Sequence, residues 1–106
     1  MLSIKLIAAE FKCELQQLYG DQLAGLVLFG SYARGNNQVE SDVDFAVVLR
    51  DPNTRSTDEI VRLVPISTAL SLKYGVIVSI LPVSEKKLSA SMQGVYQEIR
   101  REGILV

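Results

Sequence analysis

Two aspartates at the start of an apolar run place the strongest constraint on this chain. Asp42 and Asp44 stand one residue apart, beside residues 45–49, which read FAVVL. A second apolar run, LVLF at residues 26–29, precedes them. Short continuous apolar runs of this kind are typical of buried strands. Because a strand directs residues i and i+2 to the same face, the two carboxylates are expected to point together.

Two neighbouring carboxylates repel each other, which favours a cation between them. Oxygen ligands alone select Mg²⁺ or Mn²⁺, so Asp42 and Asp44 are predicted to bind a divalent metal and to act in catalysis. The chain has no histidine and one cysteine, Cys13, which argues against a zinc site. Any catalysis must therefore use carboxylates, hydroxyls, cations and bound metal.

The loop between the two apolar runs has the composition of a phosphate site. Residues 30–35 read GSYARG. Gly30 allows a sharp turn or a close approach to a ligand, and Ser31 offers a hydroxyl and an N–H group. Residues 32–35 are expected to form a helical turn whose free N–H groups face the same space. The loop is not a P-loop, since Asn-Asn at residues 36–37 replaces the required Lys-Ser or Lys-Thr.

Two further polar residues near this loop have two interpretations each. Arg34, the only cation in the loop, either contacts triphosphate oxygens or lies in solvent. Ser41 either caps the approach to the second strand or binds a phosphate. A glycine and serine loop beside paired carboxylates predicts a site for a magnesium-bound nucleoside triphosphate.

Residues 30–35 and 41–44 together resemble the GS-x-A-x-G … SD-x-D signature of the polymerase-beta nucleotidyltransferase superfamily. The chain is short, and it is most similar to the minimal nucleotidyltransferases, which are often encoded beside a HEPN-domain protein. The resemblance implies attack of an acceptor hydroxyl on the α-phosphate of a triphosphate, with release of pyrophosphate. It also implies nucleotide binding by five residues of the signature: Gly30, Ser31, Arg34, Gly35 and Ser41.

The family's full pattern includes a third carboxylate on the third strand, and this chain lacks it. Residues 76–81 are predicted to form that strand and contain no Asp or Glu. Ser79 is its only polar residue and the best candidate for the third position, although an ordinary buried strand serine is the favoured interpretation. Glu85 lies beyond Pro82 and is not expected to reach the site.

Two functions follow from these observations. The first is a nucleotidyltransferase that moves AMP from Mg-ATP to a hydroxyl, such as a tyrosine of a HEPN partner in a toxin–antitoxin pair. The second is a catalytically weak or inactive nucleotide-binding subunit that acts by contact with its partner. The intact loop and aspartate pair favour the first function, and the missing third acid favours the second.

The rest of the sequence predicts one α/β domain over residues 1–106, with a small mixed sheet and helices packed on one face. Strands are expected at residues 25–29, 42–50 and 76–81, the last closed by Pro82. Helices are expected at residues 3–19, 56–74 and 95–102, with a further helical start at Ser84 and a loop or loose helix over 89–94. The second helix carries three specific predictions: a cap at Ser56, its capping-box partner Glu59, and a kink or break at Pro65. Residues 36–40 are expected to form a polar turn, and residues 104–106 an edge strand or a docking tail.

Composition limits the partners. The net charge of −1 argues against direct nucleic-acid binding, and no apolar run approaches the length of a membrane span. A single cysteine fits a reducing cytoplasm. Since 106 residues leave no room for a second substrate-binding domain, a protein partner or self-association is expected.

Overall fold

A computed structural model describes residues 3–38 and 40–106. Val39, in the predicted polar turn of residues 36–40, lies outside the described residues. The described residues form five α-helices, four strands and one 3-10 turn (Gly20–Gln22). In chain order, the helices and strands are α1 (Ile4–Tyr19), β1 (Leu23–Phe29), α2 (Ser31–Arg34), β2 (Val43–Leu49), α3 (Ser56–Tyr74), β3 (Val78–Ser84), α4 (Glu85–Ala90), α5 (Gly94–Glu102) and β4 (Ile104–Leu105).

The four strands form one mixed sheet in the order β3-β2-β1-β4. β1 runs antiparallel to both β2 and β4, whereas β2 and β3 are parallel. The predicted mixed α/β fold is confirmed. Of the two expectations for residues 104–106, an edge strand or a docking tail, the structure shows the edge strand, β4. None of the helices in residues 3–38 and 40–106 combines the length and apolar character needed to span a lipid bilayer.

The main core lies between the sheet and helices α1 and α3. Alternation along β2 directs Val43, Phe45, Val47 and Leu49 into this core. Helix α1 contributes a fully buried stripe at four-residue spacing, Ile7, Phe11 and Leu15, and helix α3 contributes the fully buried Leu63. The rings of Phe11 and Phe45 meet edge to face, with centroids 5.5 Å apart.

A second, smaller core lies on the opposite face of the sheet. Ala46 and Val48 of β2, which alternate with the residues of the main core, pack there with Val83 of β3. Tyr96 and Ile99 of α5 cover them. The prediction that helices pack on one face was therefore incomplete, because the short C-terminal helix packs on the other face.

The start of α3 differs from the predicted capping box. The N-cap position is Arg55, and Ser56 is already helical. The Ser56 hydroxyl donates a hydrogen bond to the Pro82 carbonyl at 2.7 Å, so it joins α3 to β3 instead of capping the helix. The helix also continues through Pro65, so the predicted break does not occur.

The third strand begins and ends later than predicted. β3 spans Val78–Ser84 and includes Pro82, which was expected to close it. Proline has no backbone N–H group to donate to a neighbouring strand. It is tolerated here because β3 is an edge strand, where the backbone nitrogen can face away from the sheet. Ser84 then caps α4 as predicted, its hydroxyl accepting a hydrogen bond from the Lys87 N–H at 3.0 Å.

Candidate functional site

The two predicted metal-binding aspartates lie at the start of the central strand. Asp44 is the second residue of β2, and Asp42 immediately precedes the strand. Asp44 is partly buried and Asp42 is exposed. Because Asp44 alternates with Phe45, it lies on the α5 face of the sheet, with Ala46 beyond it. The site thus opens on the face that carries the smaller core.

Gly30 brings the signature loop directly onto Asp44. The backbone of Gly30 has φ 76° and ψ −156°, a region that essentially only glycine adopts. A Cβ atom at this position would overlap the Oδ2 atom of Asp44. Glycine is therefore required twice here, once for the backbone angle and once for the approach of the carboxylate. The sharp turn expected at Gly30 is present, and the group that approaches its backbone is the Asp44 carboxylate.

The helical turn expected after Gly30 is present as α2. Ser31 begins it, and the Arg34 N–H donates to the Gly30 carbonyl at 3.1 Å. Gly35 ends it in the left-handed conformation, with φ 77°. The first N–H groups of any such turn have no partner within the helix, so they stay available beside the Asp44 carboxylate.

The electrostatics of the site favour a bound cation. The pKa of Asp44 is raised, first because burial removes water from the carboxylate and second because the Asp42 charge repels it. A hydrogen bond from Ser79 opposes this rise. A divalent cation would relieve the repulsion, and carboxylate oxygens are the ligands that Mg²⁺ and Mn²⁺ prefer. The donor set of Asp42 and Asp44 therefore fits the predicted metal.

The third strand places Ser79 next to Asp44. In the parallel pairing of β2 and β3, Ser79 lies directly opposite Asp44. On the β1 side, Asp44 pairs with Phe29 in the antiparallel register. Residues 3–38 and 40–106 contain no cluster of three or more His, Cys, Asp or Glu side chains that could hold a metal. The oxygen ligands available at this end of the sheet are therefore the carboxylates of Asp42 and Asp44 and the hydroxyl of Ser79.

Arg34 is partly exposed, and its guanidinium group is held by two acids. Its Nη1 atom lies 2.6 Å from Oε1 of Glu98 and 3.4 Å from Oε2 of Glu102, both on α5. Sequence analysis missed these two acids, since its site residues came from the signature motifs alone. The sequence did contain one signal for them. Glu98 and Glu102 are four residues apart on a predicted helix, which places both side chains on the same side of that helix.

Ser41 closes a local turn. Its hydroxyl accepts a hydrogen bond from the Gln38 N–H at 2.8 Å, and its own N–H donates to the Gln38 carbonyl at 3.0 Å. These bonds fix the approach to β2, which corresponds to the first of the two expected roles. Among the other predicted nucleotide-binding residues, Gly30 meets Asp44 at the start of β2 and Ser31 follows it as the first residue of α2. Gly35, at the far end of α2, is not brought to the acids, since a Cβ atom there would meet open space.

A mixed sheet that joins a Gly-Ser loop to a paired-aspartate strand defines a nucleotidyltransferase core. A family model described as "Nucleotidyltransferase domain" matches residues 8–106. A Methanocaldococcus jannaschii protein named "Putative protein adenylyltransferase MJ0141" is 36% identical over 81 residues, which cover 76% of this chain and 78% of the relative. The chain belongs to the nucleotidyltransferase domain family, and its resemblance to the minimal nucleotidyltransferases is confirmed.

Solved structures show the same fold. A toxin–antitoxin crystal structure with AMP-PNP superimposes with a TM-score of 0.62 at 20% identity, covering 90% of this chain and 68% of that one. A mutant of the toxin–antitoxin complex MntA-HpeT superimposes with a TM-score of 0.57 at 20% identity, covering 100% of this chain and 72% of that one. At this identity the likeness establishes the shared fold.

Proposed function

We propose that this protein is a magnesium-dependent nucleotidyltransferase that transfers AMP from ATP to a hydroxyl group of a protein. The observation that carries the proposal is the contact between Gly30 and Asp44, which joins the phosphate-binding loop and the acid pair in one place. Neither motif would serve this chemistry alone. Together they place donors for phosphate oxygens beside ligands for a divalent cation.

The residues have distinct roles in the proposed reaction. Ser31 and the backbone N–H groups of α2 bind the phosphates, and Arg34 supplies a positive charge toward them. Asp42 and Asp44 would hold Mg²⁺, which when bound neutralises charge on the triphosphate and favours an ionised acceptor hydroxyl. The acceptor oxygen forms a bond to the α-phosphorus as the bond to the bridging oxygen breaks, and pyrophosphate leaves. The acceptor proton passes to solvent.

The proposed acceptor is a tyrosine of a HEPN-domain partner in a toxin–antitoxin pair. Support comes from the relative named as a protein adenylyltransferase and from the two toxin–antitoxin structures of the same fold. The AMP-PNP in one of those structures supports ATP as the donor. The open approach to the site, where Asp42 is exposed, leaves room for a protein acceptor.

A second candidate function rests on Ser79. This serine stands opposite Asp44 in the parallel pairing, which supports Ser79 as the counterpart of the third acid of the family pattern. A hydroxyl is a poorer metal ligand than a carboxylate and does not act as a base at neutral pH. On this account the chain binds Mg-nucleotide but transfers AMP slowly or not at all, and it controls its partner by contact.

Label transfer from α-³²P-ATP tests the two functions. The purified chain is incubated with Mg²⁺ and a lysate of its own host, with Asp44→Asn as the inactive control. A labelled protein band that the control lacks supports the transferase and gives the size of the acceptor. Nucleotide binding by the wild type without label transfer supports the second function, and the absence of both contradicts the metal and nucleotide site.

The variant Ser79→Asp separates the two functions further. If the missing acid limits catalysis, this substitution raises label transfer while Ser79→Ala leaves it low. A wild-type chain already as active as Ser79→Asp would show that two carboxylates suffice.

A further inference from the structure

Two glutamates of α5 hold the arginine of the signature loop. Glu98 and Glu102 both contact Arg34 through its Nη1 atom, at 2.6 and 3.4 Å. The contact joins residues more than 60 positions apart in the chain, with separations of 64 and 68. All three side chains are about one-third exposed, at 35%, 32% and 30%. The cluster is therefore at the edge of the site and partly shielded from water.

The helix that carries these acids is fixed against the sheet. Tyr96 and Ile99 of α5 are 5% and 3% exposed and pack on the residues of β2 beyond Asp44. Glu98 and Arg34 both act on Asp44 electrostatically, the first raising its pKa and the second lowering it, although less than burial and Asp42 do. Both side chains thus belong to the electrostatic environment of the metal-binding acid.

The contacts leave one edge of the guanidinium group open. Both carboxylates use Nη1, and within the described part of the chain no oxygen accepts a hydrogen bond from Nε or Nη2. A guanidinium is planar, so holding one nitrogen limits the directions in which the others can point. The two acids come from the same side of α5, and the opposite edge of Arg34 is the one left for a ligand.

We infer that Glu98 and Glu102 are positioning residues that hold Arg34 in the orientation needed to bind the β- and γ-phosphates of the nucleotide. The inference rests on the proposed function, which supplies the triphosphate. It assigns α5 an indirect part in nucleotide binding, through the contacts of Glu98 and Glu102 with Arg34. Without these contacts, the long arginine side chain on the four-residue helix α2 would be free to sample many rotamers.

Two other roles for the same contacts predict different results. If the acids compete with the phosphates for Arg34, removing them tightens nucleotide binding. If they only fasten α2 to α5, removing them lowers thermal stability and leaves affinity unchanged. The sign of the change in affinity distinguishes the three roles.

Equilibrium titration with Mg-ATP and with AMP provides the test, using Glu98→Gln/Glu102→Gln, Arg34→Ala and the combined triple variant. Glutamine keeps the shape of each acid and removes its charge. Arg34→Ala should weaken Mg-ATP binding about 10-fold, the size of one charge-assisted hydrogen bond. The double variant should weaken it about 3- to 5-fold, the upper end for a partly exposed ion pair. AMP, which lacks the outer phosphates, should bind all variants alike.

The triple variant isolates the route through Arg34. If the acids act by positioning the arginine, the triple variant binds Mg-ATP no more weakly than Arg34→Ala alone. Glu14→Gln, an exposed acid on α1, is the matched control and should bind as the wild type does. Circular dichroism melts of each variant show whether a change in affinity accompanies loss of structure.

The outcomes separate this inference from the proposed function. Wild-type binding with an unchanged or tighter double variant overturns the positioning role and leaves the proposed function standing. The positioning role is also overturned if the two glutamine substitutions weaken Mg-ATP binding by the same factor in the wild type and in Arg34→Ala. The acids would then act on the ligand directly and not through Arg34. Failure of the wild type and all variants to bind Mg-ATP overturns both.

Discussion

The two faces of the central sheet differ in size, chemistry and purpose. Among the residues that the structure describes, the face covered by α1 and α3 holds thirteen buried residues of one apolar cluster. The face covered by α5 holds five, and its site end carries Asp44 and Ser79. On the first face every inward side chain of β2 is apolar. On the second, the inward side chain nearest the loop is a partly desolvated carboxylate.

This difference separates stability from function within a single strand. Burial of apolar area is the dominant favourable term in folding, and most of it lies on the α1 and α3 face. The α5 face includes a carboxylate whose pKa is raised by burial and by a like charge, which costs free energy in the absence of metal. The large core makes that cost tolerable, and substitutions on the two faces should therefore have different effects.

The largest loss of stability is expected from Phe11→Ala on the main-core face. Phe11 is fully buried and contacts the Phe45 ring, so its truncation should lower the free energy of unfolding by about 3–5 kcal/mol. Denaturant unfolding measures the change. Below the unfolding transition, the variant should still bind Mg-ATP as the wild type does. A matched control is Leu72→Ala on α3, 81% exposed, which should change stability by less than about 0.5 kcal/mol.

Ile99→Ala on α5 should lose less stability but also lose affinity. Because Ile99 belongs to the smaller core, its truncation should lower the free energy of unfolding by about 2–3 kcal/mol. Because the residue anchors the helix that carries Glu98, Mg-ATP binding should weaken as well. Val95→Ala, on the same helix but 38% exposed, should change neither quantity much. An Ile99→Ala protein of full affinity would show that α5 is a structural cover and no part of the site.

Gly30→Ala should disturb the site more than the fold. Its backbone angles and the overlap with Asp44 predict a loss of about 1–3 kcal/mol, together with loss of metal-dependent nucleotide binding. Gly75→Ala, at the end of α3, is the informative control, because its φ is also positive but its Cβ would meet open space. That variant should lose only about 1 kcal/mol and retain binding. Equal binding defects in both would show that backbone strain, and not the Asp44 contact, is responsible.

Asp44→Asn should have the smallest effect on stability. Unlike the three preceding variants, it should raise the stability of the metal-free protein at neutral pH. A carboxyl whose pKa is raised by folding contributes stability at low pH and loses it as the pH rises through the raised pKa. In metal-free protein, the variant should therefore melt slightly higher than the wild type at neutral pH and at the same temperature near pH 3. Mg-ATP binding should be lost. A variant that melts lower at both pH values would contradict the repulsion between Asp42 and Asp44.

The main-core face was predictable from the sequence because its signals are local and periodic. The stripe of α1 and the continuous apolar run of β2 predicted both elements to within two residues. The i, i+2 geometry of a strand predicted that Asp42 and Asp44 point to one face. The fold class followed from the order of these elements. Signature residues Gly30 and Ser31 were found because backbone freedom and a hydroxyl are properties of the residue type itself.

The parts that were missed depend on contacts between distant residues. Ser56 looks like a helix cap, but a bond to the Pro82 carbonyl decides its role. Pro82 looks like the end of a strand, but the position of β3 at the sheet edge makes it tolerable. Arg34 was left between phosphate and solvent because its partners lie on a helix far along the chain. The spacing of Glu98 and Glu102 indicates that they share one side of α5, but no local pattern indicates that Arg34 is their partner.

The late position of α5 and β4 also implies an order of events during synthesis. Residues 4–84 supply the main core and leave the ribosome before residues 94–105, which cover the second face. Contacts that join distant segments form after the loop between them has closed, so β1 stays an open edge until β4 pairs with it. A nascent chain halted before residue 94 would carry the loop and both aspartates, but it would lack the helix that orients Arg34. Nucleotide would then reach its full affinity only once the last helix has docked.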